Sequence, residues 1–190
     1  MAEDTEKILD AKDAAQEINR VANALWSLLD DDYTELLKLQ AAAAEALGEV
    51  KAGALQDNMR ALIKALTRSL QPGMNKQEHV EVVESAKGSI VTFGNLADAS
   101  TKKSIIKDLV DALKRNDVKT FNQIMIIQAL GEIGDTKGIS IDPLLEFVND
   151  DNCDVELRTE AVRSLAKIVN AMRKDMERQQ EDMKRHVVIR

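Results

Sequence analysis

Asp117-Val-Lys-Thr-Phe-Asn-Gln-Ile-Met-Ile-Ile-Gln-Ala-Leu-Gly-Glu-Ile-Gly-Asp135 returns in altered form as Asp154-Val-Glu-Leu-Arg-Thr-Glu-Ala-Val-Arg-Ser-Leu-Ala-Lys-Ile168. Leu130 and Leu165 stand 35 residues apart, as do Ile133 and Ile168, Gly131 and Ala166, and Ile126 and Ala161. A weaker copy lies upstream, where Ile90, Gly94, Leu96 and Asp98 fall 37 residues before Ile127, Gly131, Ile133 and Asp135. A period in this range implies stacked helix pairs, because one pair can bury its apolar face only against its neighbours. Such a stack presents surfaces rather than an enclosed crevice.

The composition agrees with helices. Two prolines and eight glycines in 190 residues leave little punctuation, and aromatics make up only 3%. The core must therefore come from Leu, Ile, Val, Ala and Met, which helix-on-helix packing accommodates better than strands do. Apolar residues are 44% and charged residues 31% of the chain, enough for both a core and a solvated surface. The formal net charge of -7 is unevenly spread. Residues 1–35 carry ten acids against three bases, whereas residues 171–190 carry six bases against four acids. An acidic protein with a mildly basic end argues against nucleic acid as its main partner. Cys153 is the single cysteine, which excludes an intrachain disulfide or a cysteine-based zinc cluster. Met1-Ala-Glu-Asp-Thr-Glu-Lys7 lacks the pattern of a secretory signal, and no stretch approaches the ~20 apolar residues of a membrane span, so the expected compartment is the cytoplasm.

Periodicity and punctuation place the elements. Ile8, Ala11, Ala15, Ile18, Ala22, Leu25 and Leu29 step by three and four, a narrow stripe expected of a first helix over about 5–30. Asp30-Asp-Asp32 ends it, and Asp32 with Glu35 reads as the capping box of a second helix, carrying Leu36, Leu39, Ala43, Ala46, Leu47 and Val50. A third helix over about 55–70 places Leu55, Met59, Leu62, Leu66 and Leu70 on one face before Pro72-Gly73 stops it. Asn75 with Glu78 opens a fourth, running towards Asp98 through Gly88 and Gly94; either close packing or a break would account for those glycines. A fifth helix over about 101–116 and a sixth over about 118–134 follow. The sixth is apolar enough at Ile124-Met-Ile-Ile127 to be buried on several sides. Asp142-Pro143 reads as a cap and first helical position for a short seventh helix, and Asp154 caps the eighth, striped by Leu157, Ala161, Leu165, Ile168 and Met172.

The run Ala129–Asp135, followed by Ile141-Asp-Pro-Leu-Leu145, Asp150-Asp151 and Asp154–Leu165, resembles a HEAT repeat of bacterial or archaeal type. The resemblance implies a first helix following the proline and a second opening at Asp154, with Leu157-Arg158 at the family's hydrophobic–Arg pair. Ala161, Leu165 and Ile168 then match core positions of the second helix. It covers 117–170, extends over 88–116 and has an echo in Ala46-Leu-Gly-Glu-Val50; residues 1–45 and 171–190 lie outside it. The expected fold is all-α: a right-handed α-solenoid of about eight helices forming one elongated domain. It would consist of an N-terminal helical hairpin (1–53), HEAT-like antiparallel helix pairs (54–170) and a long C-terminal helical extension (171–190).

No residue cluster signals catalysis or a cofactor. Gly131-Glu-Ile-Gly134 lies at the end of a helix with no preceding strand, so it is not a phosphate loop, and no nucleophile elbow or His-Glu-x-x-His pair occurs. His79 and His186 are isolated and make no metal-ligand spacing. The acidic runs Asp30–Asp32 and Asn149–Asp154 lack the alternating ligands and glycine of a calcium loop and read as helix stops and caps. Cys153 precedes a helix N-terminus, where partial positive charge would favour the thiolate, but it lacks a base partner in sequence and reads as a loop cysteine.

Superposing the repeats aligns Val91, Gln128 and Arg163, and one turn later Asn95, Glu132 and Lys167. In HEAT-like stacks the second helices line one surface, so the resemblance implies Gln128, Glu132, Arg163 and Lys167 as partner-facing residues, although an ordinary solvated face has the same composition. Met172 and Met176, with Met183, are spaced through charge on the last helix and form an adaptable contact strip. The expected function is that of a non-catalytic protein–protein interaction scaffold or assembly subunit without cofactor or metal. Two alternatives are a bilin-lyase-like HEAT protein, disfavoured by the few aromatics, and a homo-oligomeric helical bundle joined through its first and last helices.

Overall fold

The computed structural model describes residues 37–49, 55–69 and 75–188, together with scattered helical positions between 16 and 28. All regular structure among the described residues is helical. Seven helices follow in order: α1 (Leu37–Glu49), α2 (Leu55–Thr67), α3 (Lys76–Leu96), α4 (Ala99–Leu113), α5 (Thr120–Ile133), α6 (Ile141–Asn149) and α7 (Val155–Val188). The chain divides into two compact units, Met1–Phe93 and Gly94–Arg190, with the boundary inside α3. The expected capping box Asp32/Glu35, the acidic run Asp30–Asp32 and the stop at Pro72-Gly73 lie outside the described residues. So does most of the expected first helix.

In the first unit, Met59, Leu62 and Leu66 of α2 are buried, as their spacing predicts, and so are Val82, Val83, Ala86 and Ile90 of α3. Asn75 caps α3, its Oδ1 accepting from the backbone N–H groups of Gln77 and Glu78 at 2.9 and 3.2 Å. The helix continues unbroken through Gly88, which faces open space. The buried face of α1 differs from expectation. Leu39 is 45% exposed, while Leu37, Gln40, Ala43 and Ala44 are buried. A buried glutamine needs a partner, and Arg68 supplies one by donating from Nη1 to Gln40 Oε1 at 2.7 Å. The hydroxyl of Ser89 likewise donates to the Ala44 carbonyl, tying α3 to α1.

His79 sits buried on the first turn of α3, and its Nδ1 has no hydrogen-bond partner. Burial, and then the nearby Arg68 charge, hold its pKa below the ordinary value of 6.5. The unfolded chain therefore takes up a proton near pH 6.5 that the folded chain refuses, and stability falls as pH drops from there towards the folded pKa. Unfolding free energy measured between pH 7 and 5 should decline less for His79→Leu than for the parent chain. Equal declines would assign the acid sensitivity to other groups.

In the second unit, α5 packs against α4 and, most extensively, against α7, which also holds α6. Asp98 caps α4, accepting from Ser100 N at 2.8 Å and Thr101 N at 2.9 Å. The Thr101 N–H, then its hydroxyl and the Ser100 N–H, hold the Asp98 carboxyl below the usual range. This cap starts α4 two residues before its expected position. Ile105, Ile106, Leu109, Val110 and Leu113 are all buried. On α5, Asn122, Ile124, Ile126, Ile127, Ala129, Leu130, Gly131 and Ile133 are buried, so the helix is enclosed on several sides as its composition implied.

Two glycines mark close helix approaches. A Cβ at Gly94 would lie 2.7 Å from Ile133 Cγ1, and one at Gly131 would lie 2.7 Å from Ser164 Oγ and 2.9 Å from the Ser164 Cα. The start of α6 corrects the sequence reading. Asp142 does not cap it; the helix begins at Ile141, and Pro143 occupies its third position rather than its first. The turn is instead set by Asp135, which is 1% exposed. One carboxylate oxygen accepts from Lys137 N and Gly138 N, both at 3.0 Å, and the other from Ser140 N at 2.7 Å and Ser140 Oγ at 2.9 Å. Gly134 and Gly138 adopt φ of 71° and 75°, the left-handed conformation that lets the chain wrap this carboxylate.

Candidate interaction surface

The repeat-related polar positions come together across α5 and α7. Both helices turn their most apolar faces inward, Leu130 and Ile133 on one and Leu157, Ala161 and Ile168 on the other. The close approach of Gly131 to Ser164 brings the outer edges near each other. Glu132 and Lys167 are exposed, with Lys167 Nζ 3.9 Å from Glu132 Oε1. One turn back on α7, exposed Arg163 donates from Nη1 to Oε2 of the nearly buried Glu160 at 3.3 Å. Gln128 is half-buried on α5. Further along α7, Met172 is half-buried and Met176 is 56% exposed. Glu132 and Lys167 thus meet, with Gln128 and Arg163 one turn back on the same two helices, whereas Met172 and Met176 lie roughly 140° and 180° round α7 from Lys167, on another face.

Sequence reading missed the most extensive apolar feature. Val155, Val162, Val169, Met176 and Met183 are exposed by 76, 52, 57, 56 and 62%. They recur every seven residues, so they lie in one slowly winding row along α7. Met176 and Met183 were noted as apolar positions; the valines were not, because the stripe through Leu157, Ala161, Leu165 and Ile168 accounted for the helix. The spacing was legible, but exposure was not. From Met176 to Arg185 every residue is exposed.

A shallow groove of about 480 Å³ lies between the end of α4 and the start of α6, lined by Leu113, Arg115, Val118, Gln123, Pro143 and Phe147 among others. Arg115 at its edge forms a two-point pair with Asp117, at 3.0 and 2.7 Å. The lining contains no Ser, Thr, Cys or His side chain. Cys153 lies outside the groove. Its thiol is pushed up by partial burial and then by the Asp150 and Asp154 carboxylates, which favours the protonated thiol. Among the described residues no group of three or more His, Cys, Asp or Glu is arranged to hold a metal ion, and no helix is long and apolar enough to cross a membrane. No protein-family model matches the sequence, and no characterised protein matches it.

Proposed function

We propose that this protein is a non-catalytic interaction module, a HEAT-like α-solenoid segment that engages a protein partner through the outer surface of α5 and α7. The observation that carries the reading is the approach of Glu132 to Lys167 at 3.9 Å. These residues are 35 apart and equivalent under the sequence repeat, and repeat-equivalent positions are neighbours when successive second helices stack. The packing of α4 with α5, of α6 with α7, and of α5 with α7 supports the same reading. Gln128, Glu132, Arg163 and Lys167 would give the surface its polar specificity. Met172 and Met176, on another face of α7, would supply adaptable apolar contact to a partner that reaches round the helix.

Glu132→Lys and Lys167→Glu, each alone, are expected to weaken partner capture while circular dichroism stays unchanged, because both side chains are exposed. An exposed pair of this kind contributes at most about 1 kcal/mol to folding, so a loss of capture would report on the interface rather than on stability. Capture unaltered by either change would remove the α5/α7 surface from the proposal.

The exposed row on α7 favours a second reading in which the protein assembles with copies of itself.

A further inference from the structure

We propose that α7 pairs antiparallel with α7 of a second copy, burying the row Val155, Val162, Val169, Met176 and Met183 in a two-fold symmetric helical seam. The inference rests on the reading of the protein as an interaction module and identifies one of its partners as itself.

Three observations carry it. First, a strict seven-residue apolar repeat is what keeps one face of a helix against another helix as the two wind together. In α7 this row is exposed along its whole length, whereas the face carrying Leu157, Ala161 and Ile168 is already covered. Leu165 and Met172, each three residues beyond a member of the row, are only half-buried and widen the seam at its centre. Second, the last part of α7 is exposed around its whole circumference from Met176 to Arg185. A helical segment of that length is marginal in water by itself, and a partner helix would supply the missing packing. Third, the area is sufficient. The 34 residues of α7 span about 51 Å, and a contact strip roughly 10 Å wide gives about 500 Å² per copy, or about 1,000 Å² in total, the size at which specific interfaces begin.

Charge selects the antiparallel direction. The start of α7 and the turn before it carry exposed Asp150, Asp151, Asp154 and Glu156 against one base, Arg158, which itself faces Asp151 at 3.5 Å. The far end carries exposed Lys184 and Arg185 at its tip, preceded by exposed Glu181 and Asp182. Centring the two-fold axis between Asn170 and Ala171 sets Lys184 and Arg185 of one copy beside Glu156 and Asp154 of the other. It also sets Met176 beside Leu165 and Met172 beside Val169. A parallel pair would instead set Asp154 and Glu156 beside their own copies at one end and Lys184 and Arg185 beside theirs at the other. Opposed helix dipoles favour the same direction, and the arrangement closes on itself as an isologous dimer.

Sedimentation equilibrium of the full chain tests the proposal. The parent protein should be a dimer, and Val169→Glu or Met176→Glu should raise the dissociation constant more than about tenfold. The parts of both side chains exposed here make no folding contact, so circular dichroism of the variants checks that the fold is retained. Lys184→Glu should weaken the dimer, and adding Glu156→Lys should restore it. In a Cys153→Ser background, Val162→Cys protein should form no disulfide with itself but should cross-link when mixed with Gln179→Cys protein. A strict monomer, a dimer indifferent to Val169→Glu, or self-linking of Val162→Cys would each overturn the proposal. A monomer whose capture of another protein is still lost on Glu132→Lys would leave the interaction-module reading standing and end only this one.

Discussion

Asp135→Ala is expected to lower the unfolding free energy by about 3–4 kcal/mol, a large share of the 5–15 kcal/mol typical of a domain. The carboxylate is 1% exposed and accepts four hydrogen bonds, three of them from backbone N–H groups of the α5–α6 turn. Hydrogen bonds to a charged acceptor contribute about 1.5–3 kcal/mol each, and a buried donor left unmatched costs about 1–3 kcal/mol. The full sum is not expected, because Lys137 is exposed and water can reach part of the turn. Ser140 is fully buried, so its N–H and hydroxyl are the groups water replaces least well. Asp135→Asn should fall between alanine and the parent, since one side-chain oxygen can still accept while the amide NH2 opposes donors at the other position. Guanidinium unfolding of the three proteins gives the ranking. A loss below about 1 kcal/mol for alanine would mean that solvent substitutes for the carboxylate and that the turn is held by its glycines alone.

The second large effect is expected at Gly131. A methyl group there would meet the Ser164 hydroxyl, its Cβ and, at 2.9 Å, its Cα. The hydroxyl can rotate away, but the Cβ and Cα move only if α7 moves, and α7 is the main packing partner of α5. Gly131→Ala should therefore destabilise by about 1–3 kcal/mol, the range for overpacked cores, despite the ~1 kcal/mol that alanine gains over glycine within a helix. Gly94→Ala is the control. The three atoms nearest its added carbon all belong to the Ile133 side chain, so the intrinsic helix gain should offset more of the cost. A double-mutant cycle makes the mechanism specific. Ser164→Gly removes two of the three contacts, and Gly131→Ala should cost less in that background. If the costs simply add, the penalty arises elsewhere on α5. Ser164 also carries a buried hydroxyl with no hydrogen-bond partner, so Ser164→Ala in the parent background is not expected to sacrifice a bond.

The two positions differ in how far the sequence foretells them. Gly131 belongs to the repeat that first indicated stacked helices, but the spacing pairs it with Ala166, whereas the residue it meets in space is Ser164. A sequence period gives equivalence between repeats; contact depends on the stagger between two packed helices. Asp135 also belongs to the repeat, as the partner of Asp98 in the weaker copy. The two acids share a local chemistry, each accepting from the next few backbone N–H groups, yet Asp98 is exposed and Asp135 is buried.

Local rules therefore determined a good deal of this protein. Helix-period stripes and caps located all seven helices to within a few residues, because the signals that start and stop a helix act over one turn. Asn75 and Asp154 cap where their spacing indicated, while Pro143 was misread by two positions because Ser140, held by Asp135, sets the helix start. What the tertiary structure alone decided was which of two apolar faces is covered. On α1 Leu39 is exposed while Gln40 is buried, its side chain satisfied by Arg68, 28 residues downstream. On α7 two apolar rows are written into the same helix, one through Leu157, Ala161 and Ile168 and one through Val155, Val162 and Val169. Their residue types hardly distinguish them. Only the placement of α5 and α6 against the first leaves the second to solvent, since apolar side chains report that they will be buried but not by what.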